Sequence, residues 1–232
     1  MDRKTFIQKS GGVFRSAKGW SWLTSREKRL NFWVFYRQFY PQGKTIYGPF
    51  PIREILHNKT YSIEHIIPVS TLKSHLKGSM MRGASLNPFN LVPSHQKLNQ
   101  ARGRRDFDLD NDPVTEWPKW LLKAPQSHEF TGLDKENQWV IPTRSRGDIA
   151  RAILYMKLCY PLDHLYSGYN HILIAWAQKD VPSEVERDYN KWVQGKWAIQ
   201  NPLIEEPEIL FDPTFEHTLK ERFPPCQWSK SS

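Results

Sequence analysis

Apolar residues recur at helical spacing between Ser25 and Tyr40, at Leu30, Trp33, Val34, Tyr36 and Phe39, behind a polar start of Arg26, Lys28 and Arg29. Pro41 ends the run, so the pattern predicts a core-facing helix over 25–40. Two stretches rich in Ile, Tyr and Thr follow, 44–50 and 59–68, and read as extended segments, with His65 at the end of a strand. Residues 72–90 are polar, contain glycine and are broken by Pro88, which predicts a long loop with one helical turn at its start. A short charged helix is expected over 94–105, with Ser94 as N-cap, Leu98 and Ala101 inward, and Lys97, Arg102, Arg104 and Arg105 forming a basic face. Residues 106–139 hold Asp, Pro and Trp without periodicity and read as an irregular excursion.

The C-terminal half is helical in pattern. Ser145, Arg146, Gly147 and Asp148 form a capping-box sequence opening an amphipathic helix with Ile149, Ile153, Leu154, Met156 and Leu158, stopped by Pro161. Two more helices are expected over 169–177 and 183–197, the second opened by a second box, Ser183 to Glu186. Beyond Pro202 the chain is acidic and punctuated by proline, and no internal repeat is present.

Composition sharpens this picture in three ways. The 232 residues are 39% hydrophobic and 13% aromatic, with ten tryptophans, which is too apolar for a disordered chain. A formal charge of +9 and a pI near 9.5 give a surface that favours polyanions, although charge alone speaks to partners and not to chemistry. The two cysteines, Cys159 and Cys226, exclude a disulfide framework and a four-ligand zinc site of the usual kind, and fit a reducing compartment. The start of the chain turns polar at Gln8, Lys9 and Ser10 without a stretch of signal-peptide length, so secretion is not expected. No window approaches the roughly 18 to 20 apolar residues of a membrane span.

One set of residues could carry phosphodiester chemistry. Cleaving that bond requires an activated water, a cation against the developing charge and help for the departing oxygen. Histidine is a natural base near neutral pH, and magnesium takes carboxylate and amide oxygens while keeping several waters. Glu64, His65 and Asn99 meet that description, with a strand, a loop and a returning helix to bring them together. Taken singly, Glu64-His65 also fits a surface carboxylate beside a core histidine, and Asn99 a solvated helix residue.

Three motifs make the combination specific. Tyr61 to Pro68 reads YSIEHIIP, Asn87 to Ser94 reads NPFNLVPS, and Leu98 to Gly103 reads LNQARG. Their order and spacing resemble bacterial endonuclease I, as do RGDIARA at 146–152, Tyr155-Met156, Gln194-Gly195 and Asn201-Pro202. The resemblance covers about 61–204 and implies a ββα-metal finger that cuts DNA, and often RNA, with little sequence preference. It makes His65 the general base, Glu64 and Asn99 the magnesium ligands, and Arg82 the best-placed loop arginine to stabilise the scissile phosphate. This chain departs from the pattern at Phe89, where a histidine is common, in a shorter loop between His65 and Asn87, and in lacking the cysteines of the secreted enzymes.

The expectation is therefore an α+β fold, one nuclease domain over 1–232, with a ββα-metal finger core at about 59–105 and a helical part at about 143–204. The function expected is magnesium-dependent hydrolysis of DNA, with RNA as a further substrate and 5′-phosphate ends; manganese or calcium could replace magnesium. Lys97, Arg102, Arg104 and Arg105 are expected to contact the nucleic-acid backbone. Trp117, Trp120 and Trp139 could stack on bases or anchor the excursion to the core. A monomer inside the cell, away from membranes, is expected, and an inhibitor protein is conceivable. Two alternatives stay open: a structure- or sequence-selective nuclease on the same finger, and a non-catalytic nucleic-acid-binding protein.

Overall fold

Thr24 opens the first helix, α1 (Ser25–Phe39): its hydroxyl accepts from the Glu27 backbone while the Glu27 carboxylate returns to the Thr24 N–H, a full capping box. The chain is described over residues 24–109, 132–134, 139–142 and 144–215 in a computed structural model. The buried face of α1 is set by Phe32 and Phe35, both fully buried, with Trp33 and Tyr36 beside them. Leu30, expected inward, is 49% exposed. The largely aromatic run 32–36 offers more than one inward stripe, and the edge-on contact of Phe35 with Tyr189 (4.9 Å) and its tilted contact with Trp192 (5.4 Å) select among them.

A short antiparallel hairpin follows, β1 (Lys44–Thr45) with β2 (Gly48–Pro51), then α2 (Ile52–His57). β3 (Tyr61–His65) pairs antiparallel with β4 (Leu91–His95), with Tyr61 opposite His95 and His65 opposite Leu91. α5 (Gln96–Arg102) then leaves the end of β4 directly and packs on both strands, completing a ββα unit within the expected span. Its cap is His95, whose Nδ1 accepts from the Lys97 N–H at 3.2 Å; Ser94, expected as the cap, lies in β4. Gly103 ends the helix at φ +57°, a conformation that disfavours any side chain.

Between β3 and β4 the structure replaces the expected loop with two helices, α3 (Val69–His75) and α4 (Gly78–Ser85), and a 3-10 turn, Pro88–Asn90. Their inward residues are few, Leu72 and Ala84 among them, so no helical period is visible in the sequence. Two fully buried asparagines fasten the junction. Asn90 accepts from the Ile67 N–H (2.8 Å) and donates to the Ile67 carbonyl (3.2 Å), while Asn87 caps the 3-10 turn by accepting from the Phe89 N–H.

Much of the 106–139 excursion, with Trp117 and Trp120, lies outside the described residues, as do Cys226 and the ends of the chain. Its margins are more regular than expected: β5 (Gly132–Asp134) pairs with β6 (Trp139–Ile141), and Phe107 bridges to Val140.

The helical part consists of α6 (Arg146–Cys159), α7 (Asn170–Lys179), α8 (Glu184–Trp197) and α9 (Pro202–Glu205). α6 is buried nearly all round, as a central helix must be. Ser183 and Glu186 form the expected box at α8, but Ser145 does not cap α6, because its backbone is left-handed. The RGDIAR motif instead clasps helices. Gly147 donates its N–H to Asp180 Oδ2 (2.8 Å), and a Cβ at Gly147 would stand 2.0 Å from the Asp180 carbonyl oxygen. Arg151, fully buried, pairs with Glu186 (2.7 Å) and Asp148 (3.0 Å) and donates to the carbonyls of Ala177 and Asp180. One hydrophobic core runs from α1 through the finger to α9. The fold is α+β, as expected.

Candidate active site

Alternation along β3 puts Ser62 and Glu64 on one face, Ile63 and His65 on the other. Asn99, in the middle turn of α5, reaches the first face: its amide donates to Ser62 Oγ at 2.8 Å and to the Ile63 carbonyl at 3.1 Å. Both amide hydrogens are thereby directed at the strand, which leaves the carbonyl oxygen Oδ1 as the acceptor. Glu64 is 2% exposed, and its Oε1 accepts from Tyr47 Oη at 2.9 Å and from Arg102 Nη1. Burial pushes the Glu64 carboxyl up, and Arg102 and Tyr47 counter that rise by stabilising the ionised form.

Arg102 corrects an expectation. It ends the helix that carries the exposed Lys97 and stands two residues before the exposed Arg104, but is itself 1% exposed, turned inward against Glu64. Its guanidinium also donates to the carbonyls of His65 (2.6 Å), Ile66 (2.8 Å) and Arg105 (2.9 Å), and the Phe107 ring lies against it at 4.6 Å. A side chain so committed cannot lie on a phosphate-contacting face; it fixes the end of β3. Arg105 is half-buried and donates to the carbonyl of Ala101 at 2.7 Å, securing the helix end. Of the four expected basic contacts, Lys97 and Arg104 stay at the surface.

His65, half-buried on the other face, donates from its ring to the Ser85 carbonyl at the end of α4. Burial lowers its pKa to about 4, further depressed by the charges of Arg29 and Arg102, so the ring is neutral at pH 7. A neutral imidazole that donates through one nitrogen presents the other as an acceptor. Arg82 lies one turn before Ser85 in α4, exposed, with the Ser85 hydroxyl donating to its carbonyl at 3.0 Å. The last turn of one helix thus carries both the carbonyl that orients His65 and the expected phosphate arginine.

Hard oxygen donors, Glu64 and the Oδ1 of Asn99, belong to the same face of the finger and suit a magnesium-type cation. Among the described residues no three His, Cys, Asp or Glu side chains converge, so such an ion would take most of its shell from water and substrate. Phe89, standing where a histidine is common, packs edge-on against Tyr155 (5.0 Å) and is core.

Residues 52–208 match the model of the endonuclease I family. The chain belongs to that family. Curated relatives include the extracellular ribonuclease of Bacillus subtilis (strain 168), 28% identical over 153 residues, covering 59% of this chain and 49% of the relative. The extracellular ribonuclease of Bacillus amyloliquefaciens is 27% identical over 153 residues, with the same coverage of 59% and 49%. The chain therefore spans about half the length of the curated relatives it matches. Within the family-matched region stand Glu64, His65, Arg82 and Asn99; α1, with Arg29, precedes it.

Sequence reasoning missed Tyr47, Ser62 and the Ser85 carbonyl. Tyr47 lies well before the first motif, Ser85 lies just before the second, and Ser62 sits inside the first, with nothing in the sequence to mark any of them. Only the hairpin β1–β2 and the packing of α4 deliver the first two. No described helix is long and apolar enough to cross a membrane.

Proposed function

We propose that the protein is a metal-dependent endonuclease that hydrolyses phosphodiester bonds, with His65 as general base and Glu64 and Asn99 holding a magnesium ion. The observation that supports it most is the neutral His65 ring oriented by the Ser85 carbonyl at the end of β3, the strand whose opposite face carries the Glu64 carboxylate and meets the Asn99 amide. His65 takes a proton from water at the nitrogen not engaged with Ser85, and the water attacks phosphorus in line. When bound, the cation would neutralise the developing charge and ease departure of the 3′ oxygen, leaving 5′-phosphate ends. Arg82 stabilises the scissile phosphate, and Lys97 and Arg104 carry the flanking backbone. Arg102 and Tyr47 hold Glu64 in place.

DNA is the substrate of this reading. A second substrate, RNA, is favoured by the names of the relatives, both extracellular ribonucleases. The cysteine content favours a reducing compartment, which would set this protein apart from those relatives. We expect a single-domain monomer, since the base and the ligand oxygens come from one chain.

Supercoiled plasmid and a structured RNA, each incubated with wild type and His65→Ala in magnesium or EDTA, test the proposal. Magnesium-dependent strand breaks from wild type, reduced by about two to four orders of magnitude in the variant, are expected. Intact nucleic acid of shifted mobility in every lane would make the protein a binder.

A further inference from the structure

Alternation along β3 gives Tyr61, Ile63 and His65 a common face, opposite the one that carries Ser62 and Glu64. Tyr61 begins the strand and is 38% exposed. It stands about 13 Å from His65, four residues along the strand at roughly 3.3 Å each. Packing fixes its ring: Trp33 of α1, itself buried, meets it edge-on at 5.2 Å with the planes 74° apart. Across the hairpin Tyr61 is paired with His95, whose ring stacks on Phe50 at 4.6 Å and whose Nδ1 accepts from the Lys97 N–H. The Gln96 N–H donates to the Thr60 carbonyl at 2.6 Å and so sets residues 59–61 beside 95–97. Lys59 and Lys97, both exposed, thereby flank Tyr61 from the two strands.

A tyrosine held by one aromatic neighbour and open to water is a preorganised flat surface, and lysines on either side suit the phosphates before and after a base stacked on it. In a duplex each base is covered by its neighbours and occupied by its partner. An unpaired strand leaves base faces free, and stacking on an aromatic ring tolerates any sequence because every base has such a face.

We propose that Tyr61, steadied by Trp33 and flanked by Lys59 and Lys97, is a platform on which an unpaired base of a single-stranded substrate stacks, so that single strands and unpaired loops are held in preference to duplex. This rests on the nuclease reading and deepens it by naming the substrate class: the base stacks at one end of β3 while the bond is cut at the other.

The test measures the affinity of His65→Ala protein in EDTA for short DNA and RNA strands of one unstructured sequence and for the fully paired DNA duplex. Adding Tyr61→Leu, which keeps apolar bulk against Trp33 but removes the aromatic face, should weaken strand binding by about 5- to 150-fold, the usual worth of one stacked base. Tyr61→Trp should retain strand binding, and duplex binding should not change with either variant. Tyr169→Leu is the control, a tyrosine of similar exposure (40%) preceding α7, and should match the parent. An abasic position walked along the strand should find one place where the parent loses a similar factor and Tyr61→Leu loses nothing more, a coupling that a general disturbance of the fold would not produce. Strand affinities of Tyr61→Leu equal to the parent's with both DNA and RNA, or an equal loss on the duplex, would overturn the platform. If circular dichroism shows Tyr61→Leu to be unfolded, the abasic walk on the parent decides, and a flat profile overturns the platform. Cleavage of the same strands by wild type in magnesium separates the two ideas. Cleavage with binding indifferent to Tyr61 removes the platform and leaves the nuclease, whereas binding that depends on Tyr61 without cleavage keeps the platform and removes the nuclease. A protein that binds neither strand nor duplex removes both.

Discussion

At the scale of single residues, burial decides which charged groups are architecture and which face substrate. Arg102, buried, is architecture: it holds Glu64, the proposed metal ligand, in a buried ion pair. Removing one partner leaves the other without compensation, so Arg102→Met should cost about 3–5 kcal/mol in urea unfolding. The double variant Glu64→Leu with Arg102→Met should lose less than the sum of the single losses; strict additivity would mean that the pair does not couple.

His65 makes a pH prediction. Its folded pKa, about 4, lies below the ordinary 6.5, so on acidification the unfolded chain takes up this proton first. Between those values the unfolded state binds more protons, and stability falls as pH drops from about 6.5 toward 4. Urea midpoints at pH 7 and pH 5 should differ more in wild type than in His65→Gln, and equal differences would refute the assignment. The acidic limb of cleavage should likewise lie well below pH 6.5, because the base stays unprotonated there.

Elements, in turn, are held by backbone proximity that few substitutions tolerate. The contact of α6 with α7 is one such place, where a Cβ on Gly147 would stand 2.0 Å from the Asp180 carbonyl oxygen. Gly147→Ala must separate the helices or break the Arg151 clasp, and a melting temperature lowered by several degrees is expected. The end of β3 is fastened by Asn90 to Ile67 on one side and by Arg102 to His65 and Ile66 on the other. Asn90→Ala would leave the Ile67 N–H without this buried acceptor, at a cost of about 1–3 kcal/mol. Activity should fall further than that destabilisation explains, measured as turnover at a temperature where the variant is fully folded. Turnover equal to wild type there would show that the strand end needs no such fastening.

For the molecule as a whole, the finger is embedded and not freestanding. Its hairpin is covered by α1 through Trp33 and Tyr61, and the 3-10 turn that leads into β4 by α6 and α8 through Phe89, Tyr155 and Tyr189. A hairpin with a seven-residue helix buries too little alone, so the helical part supplies the scaffold that holds the site in register. The charge of +9 adds long-range attraction for polyanions, which raises association rates at low salt and is screened as ionic strength rises.

The finger and the helices of the C-terminal half were legible in the chain because their signals are local: period-two and period-3.6 patterns, the Ser183–Glu186 box, and motif order that places Asn99 one short helix after the second strand. Family membership was legible for the same reason, since the motifs are contiguous runs. Tertiary structure decided the rest, because its causes are distant in sequence. The two helices inside 69–85 have too few inward residues to announce themselves. Arg102 reads as one more cation beside Arg104 and Arg105 until Glu64, 38 residues earlier, is folded against it. Sequence fixes the type and order of side chains along each element; which of them lose water and which meet a partner depends on how the elements pack, and burial and proximity turn a charge into a strut or a contact.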